Sequence, residues 1–248
     1  MIPILHRITD RARGELREWR RPSRPAFLQE ELDHVLLEQI PWHADERVLD
    51  VGCAHGVYMN ALKRLGARIT GIDISLDSLP RARAAGHAVA AASGSSLPFA
   101  DAAFDTLLCH KTMYLFNTPD RAIREFSRVL RPGGRIVFSG SNTRSPYARI
   151  QRLAIGLTAN RNWAFGNRLS ATDWIRAFTR HGLRARSVYS CNLVWPLVFR
   201  VFDRWLIPNE WMRRYSRGMR RLSRIPLRAE RPHPLAQDFV VEIVKPGN

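Results

Sequence analysis

Asp50, Gly52, Gly56 and Asp73 are the residues whose types and spacing most clearly point to chemistry. Asp50 interrupts the apolar run Val48, Leu49, Val51, and the two glycines bracket a sharp turn directly after it. Such a turn leaves the first N–H groups of a following helix free and lets a ligand approach bare backbone. A nucleotide or nucleoside suits that geometry. The three-glycine dinucleotide fingerprint is excluded, because the turn reads Gly52, Ala54, Gly56, and a P-loop is excluded because no Gly-Lys-Ser or Gly-Lys-Thr follows. A carboxylate at Asp50 repels phosphate but accepts hydrogen bonds from an ammonium group, so the implied ligand carries an amine. His110, Lys111 and Tyr114 form a second group with chemical potential: a histidine can take a proton from a hydroxyl or amine nucleophile near neutral pH. The alternative for this group is that His110 supplies only backbone and Tyr114 packs.

Positioning these side chains requires alternating strands and helices. Residues 48–51 read as a buried strand, and Tyr58, Leu62 and Leu65 recur at helical spacing after the turn. Residues 67–74 read as a second strand ending on Asp73, seventeen positions after Gly56. A helix beginning with Leu76 and Leu79, with Pro80 in its first turn, leads to a third strand over 87–92, where His87 has no obvious partner. The fourth strand is expected over 106–109 and the fifth over 136–139. In a doubly wound sheet the ligand crevice lies beyond the carboxyl ends of the strands, which places residues 110–114 at its mouth.

The run from 48 to 56 resembles motif I of the class I S-adenosylmethionine-dependent methyltransferases, V-L-D-V-G-C-G-x-G, with Ala54 in place of the middle glycine. Alanine there is expected as a turn residue at negative φ. The resemblance continues in Leu97-Pro98-Phe99-Ala100-Asp101 with Phe104-Asp105, and in Arg128-Val-Leu-Arg-Pro-Gly-Gly-Arg135 before a strand. It is closest to the type 11 group, which includes ubiquinone and menaquinone methylases. It implies a Rossmann-like α/β doubly wound sheet, mostly parallel with an antiparallel last strand, under helical cap elements. S-adenosyl-L-methionine is the implied cofactor. Asp50 would face its amino group, and Gly52, Cys53, Ala54 and Gly56 its carboxylate and sugar. Asp73 would take the ribose hydroxyls, with Ile74 beside it. Ser93 and Gly94 stand where most members have an aspartate-alanine pair that meets adenine, and Cys109 completes the cofactor set. A surface aspartate capping the next helix is the alternative for Asp73.

The chain's 248 residues fit one domain, read as an N-terminal helical cap (1–42), a cofactor core (43–140), substrate-cap insertions (141–168 and 193–235), and segments 169–192 and 236–248 that close the sheet. Residues 8–19 and 27–40 read as helices, the latter with Leu32, Val35, Leu36 and Ile40 on one face. Trp19 and Phe27 either contact substrate or pack the cap. Within 141–167, Tyr147, Ile150, Leu153 and Leu157 suggest a helix, and Trp163 with Phe165 an aromatic patch facing substrate. Leu169, Ser170, Thr172 and Asp173 announce a helix start, followed by strands over 184–192 and 238–244.

The net charge of +17 is carried almost wholly by arginine, with lysine only at 63, 111 and 245. That bias partly reflects genome composition, so nucleic acid is not the expected partner. Residues 193–228 combine aromatic and basic side chains and are too short and too charged to span a bilayer. They read either as a cap over the substrate pocket or as an interfacial element on anionic lipid. Cys53, Cys109 and Cys191 show no metal spacing and read as buried thiols, two of them in cofactor motifs and so exposed to inhibition by thiol reagents. No metal is expected, and the N-terminus lacks an export signal, so a cytoplasmic protein, with peripheral membrane contact on the second reading of 193–228, is expected. The expected activity is methyl transfer to an oxygen, nitrogen or carbon of a small-molecule or lipid-like acceptor. An RNA methyltransferase and a non-catalytic binding module are the alternatives. The segment after the fourth strand lacks an N-P-P-Y tetrapeptide, and neither Cys109 nor Cys191 follows a proline, which argues against the RNA reading.

Overall fold

The apolar run after Arg47 becomes the central strand of a seven-stranded sheet. The computed structural model describes residues 32–116, 118–146, 148–149, 169–191 and 233–247. In chain order these form β1 (Arg47–Val51), α1 (Val57–Arg64), β2 (Arg68–Asp73), α2 (Leu79–Ala84), β3 (Ala88–Ala91), β4 (Phe104–His110), α3 (Pro119–Val129), β5 (Leu130–Ser141), α4 (Ala171–Arg180), β6 (Arg184–Cys191) and β7 (Asp238–Val244). The sheet order is β3-β2-β1-β4-β5-β7-β6. Neighbours from β3 to β5 run parallel, and β7 lies antiparallel between β5 and β6.

Successive strand residues point to opposite faces, and both faces are apolar. Leu49, Leu107 and Phe138 meet Phe126 of α3 and Trp174 and Phe178 of α4 on one side. Val48, Leu108 and Val137 meet Leu62 of α1 and Leu32, Leu36 and Ile40 on the other. The segment carrying these last residues is helical at 32–34 and continues as a π-helical turn, Val35–Gln39. The parallel register sets Asp50 beside Gly71 of β2 and Leu108 of β4, so the strand ends that carry Asp50, Asp73 and His110 converge.

Several boundaries differ from the sequence reading, each for a local reason. Residues 75–78 form a turn closed by Ser78 N–H to Ser75 O, so α2 starts at Leu79 and Leu76 is exposed. The third strand is shorter than 87–92, and His87 has a partner: its Nε2 lies 2.8 Å from Asn60 Oδ1. β4 extends beyond 106–109 at both ends. Arg131-Pro-Gly-Gly134 belongs to an extended β5, because Gly133 N–H donates to Lys245 O and Lys245 N–H to Gly134 O, stitching this stretch to the chain after β7. Ser170 is the N-cap of α4 in a reciprocal capping box with Asp173. The helix read over 8–19, Trp19, Phe27, the aromatic patch at 163–165 and the basic segment 193–228 lie outside the described residues, as does most of 141–168.

Candidate cofactor and acceptor site

The loop after β1 is built by three consecutive returns into left-handed backbone: Gly52 at φ 79°, Ala54 at 46° and Gly56 at 80°. The expectation of a negative φ at Ala54 is therefore wrong. The loop winds tightly enough that the middle position needs the region glycine favours, and alanine holds it at a cost of about 1 kcal/mol. Tethers explain how it is held. Gly52 N–H and Cys53 N–H both donate to Ile72 O of β2, and Ala54 N–H donates to Asp73 Oδ2 at 2.8 Å. Gly52 is obligatory for space as well: a β-carbon there would lie 2.4 Å from Thr112 Oγ1, in the loop after β4.

Asp73 links two loops. One carboxylate oxygen accepts from Ala54 N–H and the other from Ser75 N–H, each at 2.8 Å. Each oxygen keeps a second lone pair, enough for two ligand hydroxyls. Ile74, beside it, is 72% exposed, an apolar surface at the mouth of the loop. Asp50 is buried, and no hydrogen-bond donor among the described residues reaches its carboxylate. Burial, with a smaller contribution from the charge of Asp73, pushes its pKa up to about 7. Two carboxylates beside one loop favour a cation there. The set of acceptors thus fits a ligand with an ammonium and a pair of vicinal hydroxyls.

Gly94 is buried against the Phe116 ring, which a β-carbon would strike at 2.5 Å. Ser93 is exposed, and its hydroxyl accepts from Ser95 N–H at 3.2 Å. Cys53 of the loop and Cys109 of β4 are both buried, and burial and the nearby Asp50 charge drive both thiols well above the ordinary cysteine range. Burial and a raised thiol pKa both lower the thiolate fraction, which runs against the expectation of inhibition by thiol reagents.

At the carboxyl end of β4, His110 has both ring nitrogens engaged. Nε2 lies 3.1 Å from the Tyr58 hydroxyl and Nδ1 2.8 Å from Ser139 Oγ. Tyr58 in turn donates to Asp33 Oδ1 at 2.8 Å. Asp33, Tyr58 and Ser139 were not legible as site residues, since only the strand register brings them to His110. Lys111 takes a left-handed φ of 51° and donates to the buried Asp238 at 2.6 Å, which also accepts from Ser141 Oγ. Tyr114, in the short 3₁₀ turn Met113–Leu115, is 42% exposed.

Residues 49–138 match the model of a methyltransferase domain, type 11. Malonyl-(acyl-carrier protein) O-methyltransferase of Pseudescherichia vulneris is 35% identical over 117 residues, 46% of each chain. Ubiquinone biosynthesis O-methyltransferase of Paracidovorax citrulli is 33% identical over 106 residues, 39% of this chain and 44% of that one. The chain thus spans less than half the length of these curated relatives. An S-adenosylmethionine-dependent methyltransferase from Mesorhizobium loti superposes with a TM-score of 0.57 at 18% identity, covering 88% of this chain and 99% of that one. The cyclase SpnF superposes at 0.58 and 18% identity, covering 90% and 82%, so the shared fold does not by itself set the reaction. The matched stretch, residues 49–138, is the core that carries Asp50, the glycine loop and Asp73, and over it the chain is similar to the type 11 methyltransferase domain.

Proposed function

We propose that this protein transfers a methyl group from S-adenosyl-L-methionine to a small-molecule or lipid-like acceptor. The observation that carries this reading is the buried Asp50 carboxylate, without a hydrogen-bond donor among the described residues, at the end of β1 beside the loop that Asp73 holds. In this reading Asp50 takes the ligand ammonium, and the backbone of Gly52, Cys53, Ala54 and Gly56 lines the amino-acid end. Asp73 takes the ribose hydroxyls, Ile74 packs on the base, Ser93 and Gly94 border it, and Cys109 closes the floor. When bound, the cofactor supplies an electrophilic methyl on a sulfonium. The chain's own residues hold the acceptor in line, and His110 and Tyr114 border the acceptor. Both named relatives are O-methyltransferases, which puts oxygen acceptors first. The basic and aromatic composition of residues 193–228 favours a lipid-like one. No described helix is long and apolar enough to cross a membrane.

The test is incubation with methyl-labelled cofactor and a panel of phenols, quinols and acyl carboxylates. Label in one oxygen class, abolished by Asp50→Ala, supports the proposal. Tight binding of S-adenosylhomocysteine without transfer to any class would favour a non-catalytic binding module.

A further inference from the structure

Four side chains from distant parts of the sequence form one hydrogen-bonded line beside the cofactor loop: Asp33, Tyr58 of α1, His110 at the end of β4 and Ser139 of β5. Asp33, Tyr58 and Ser139 are buried, and the Tyr58 and His110 rings lie 4.4 Å apart at 50°. The polarity of the line follows from proton counting. Tyr58 has one hydroxyl hydrogen and gives it to Asp33, so toward His110 its oxygen can only accept. In the neutral ring His110 then carries its proton on Nε2. Its Nδ1 is then bare and accepts the Ser139 hydroxyl.

We propose that Asp33 and Tyr58 are positioning residues that lock His110 as the Nε2–H tautomer, leaving Nδ1, on the Ser139 side, as the atom that receives the acceptor's proton. This rests on the methyltransferase reading and narrows it to acceptors that carry a proton on the nucleophile, a hydroxyl or an amine. The acceptor's X–H bond breaks, an N–H bond forms at Nδ1, directly or by exchange through Ser139 Oγ, and the electron pair stays on X as the nucleophile. Ser139 then turns from donor to acceptor of the new N–H. The imidazolium donates at both nitrogens, to Ser139 and Tyr58, with the Asp33 carboxylate two hydrogen bonds away to balance its charge. After turnover the proton passes to water.

Long-range proton–nitrogen correlation spectra of the full chain, labelled with ¹⁵N-histidine and saturated with S-adenosylhomocysteine, read the tautomer without any methyl transfer. His110→Gln identifies the signal. The expected result is an Nε2–H ring in the wild type, with Tyr58→Phe and Asp33→Ala each admitting a substantial Nδ1–H population while still binding S-adenosylhomocysteine. Tyr58→Phe keeps the ring packing and so guards against loss of fold. An Nδ1–H or averaged ring in the wild type, or an unchanged spectrum in a folded Tyr58→Phe, would overturn the proposal. Failure of S-adenosylhomocysteine to bind, with the ring still Nε2–H, would instead count against the cofactor reading alone.

Discussion

Asp50 is a carboxylate with little access to water and no described hydrogen-bond donor, and its properties follow from that. Its pKa rises from 3.8 to about 7 on folding, so the folded chain holds a proton there that the unfolded chain has lost. The stability this proton confers is complete below pH 4 and is lost as pH rises through 7. Ligand-free Asp50→Asn should accordingly exceed the wild type in stability above pH 7, by up to about 4 kcal/mol, in denaturant titrations. The opposite sign applies to the ligand, whose ammonium needs the ionised form. Calorimetry with S-adenosylhomocysteine should show affinity climbing about tenfold per pH unit below pH 7, with up to about one proton released at pH 6. Asp50→Asn should flatten both. Ala54 belongs to the same scale. Its residue type said nothing of its φ, since only the closed loop forces the left-handed value. Ala54→Gly should gain up to about 1 kcal/mol of stability, less the added freedom of the unfolded chain.

At the scale of elements, the loop before β4 is clamped by Arg128 of α3. Its guanidinium donates to the carbonyls of Leu97 and Phe99 and to Glu125 and Asp101, while Glu125 also accepts from Leu97 N–H. This explains why Leu97-Pro98-Phe99 and Arg128 recur together in the motif reading: one is the other's hydrogen-bond partner. The Arg128 bond, more than any other cause, holds Glu125 down at about 2 against its ordinary 4.5. The sign is that of a depressed acid: its contribution is present above pH 4.5 and lost as pH falls toward 2. Glu125→Gln should remove that slope from the acid-unfolding curve, and by leaving the guanidinium short of a charge partner should cost about 1–2 kcal/mol at neutral pH. The start of α4 was legible from Ser170 and Asp173 because a capping box is purely local, and Ser170→Ala should cost about 1 kcal/mol.

Across the whole molecule the two ends of the sheet divide the work. At the amino ends of the parallel strands, buried Arg135 donates to Glu46, Glu242 and Thr106 and to the carbonyl of Pro41, with Trp42 against its guanidinium. Removing it leaves two carboxylates buried without compensation, so Arg135→Met should destabilise by about 3–5 kcal/mol while leaving cofactor affinity in the folded protein unchanged. The carboxyl ends carry the candidate site. Its cofactor half was legible because Asp50, the glycines and Asp73 sit within one strand–helix–strand unit, where spacing alone implies proximity. Its acceptor half was not. Ser139 meets His110 through the pairing of β4 with β5, and Tyr58 and Asp33 reach it through the packing of α1 and the segment at 32–34 on the sheet, long-range contacts that no local pattern encodes. For the same reason His87 looked solitary until α1 brought Asn60 to it. The most direct test of the central claim is calorimetric titration of the wild type and Asp73→Ala with S-adenosylhomocysteine. The wild type should bind at micromolar concentration and the variant more weakly by about 1–3 kcal/mol, through loss of the two hydroxyl acceptors; equal affinities, or no binding by either protein, would overturn the cofactor assignment.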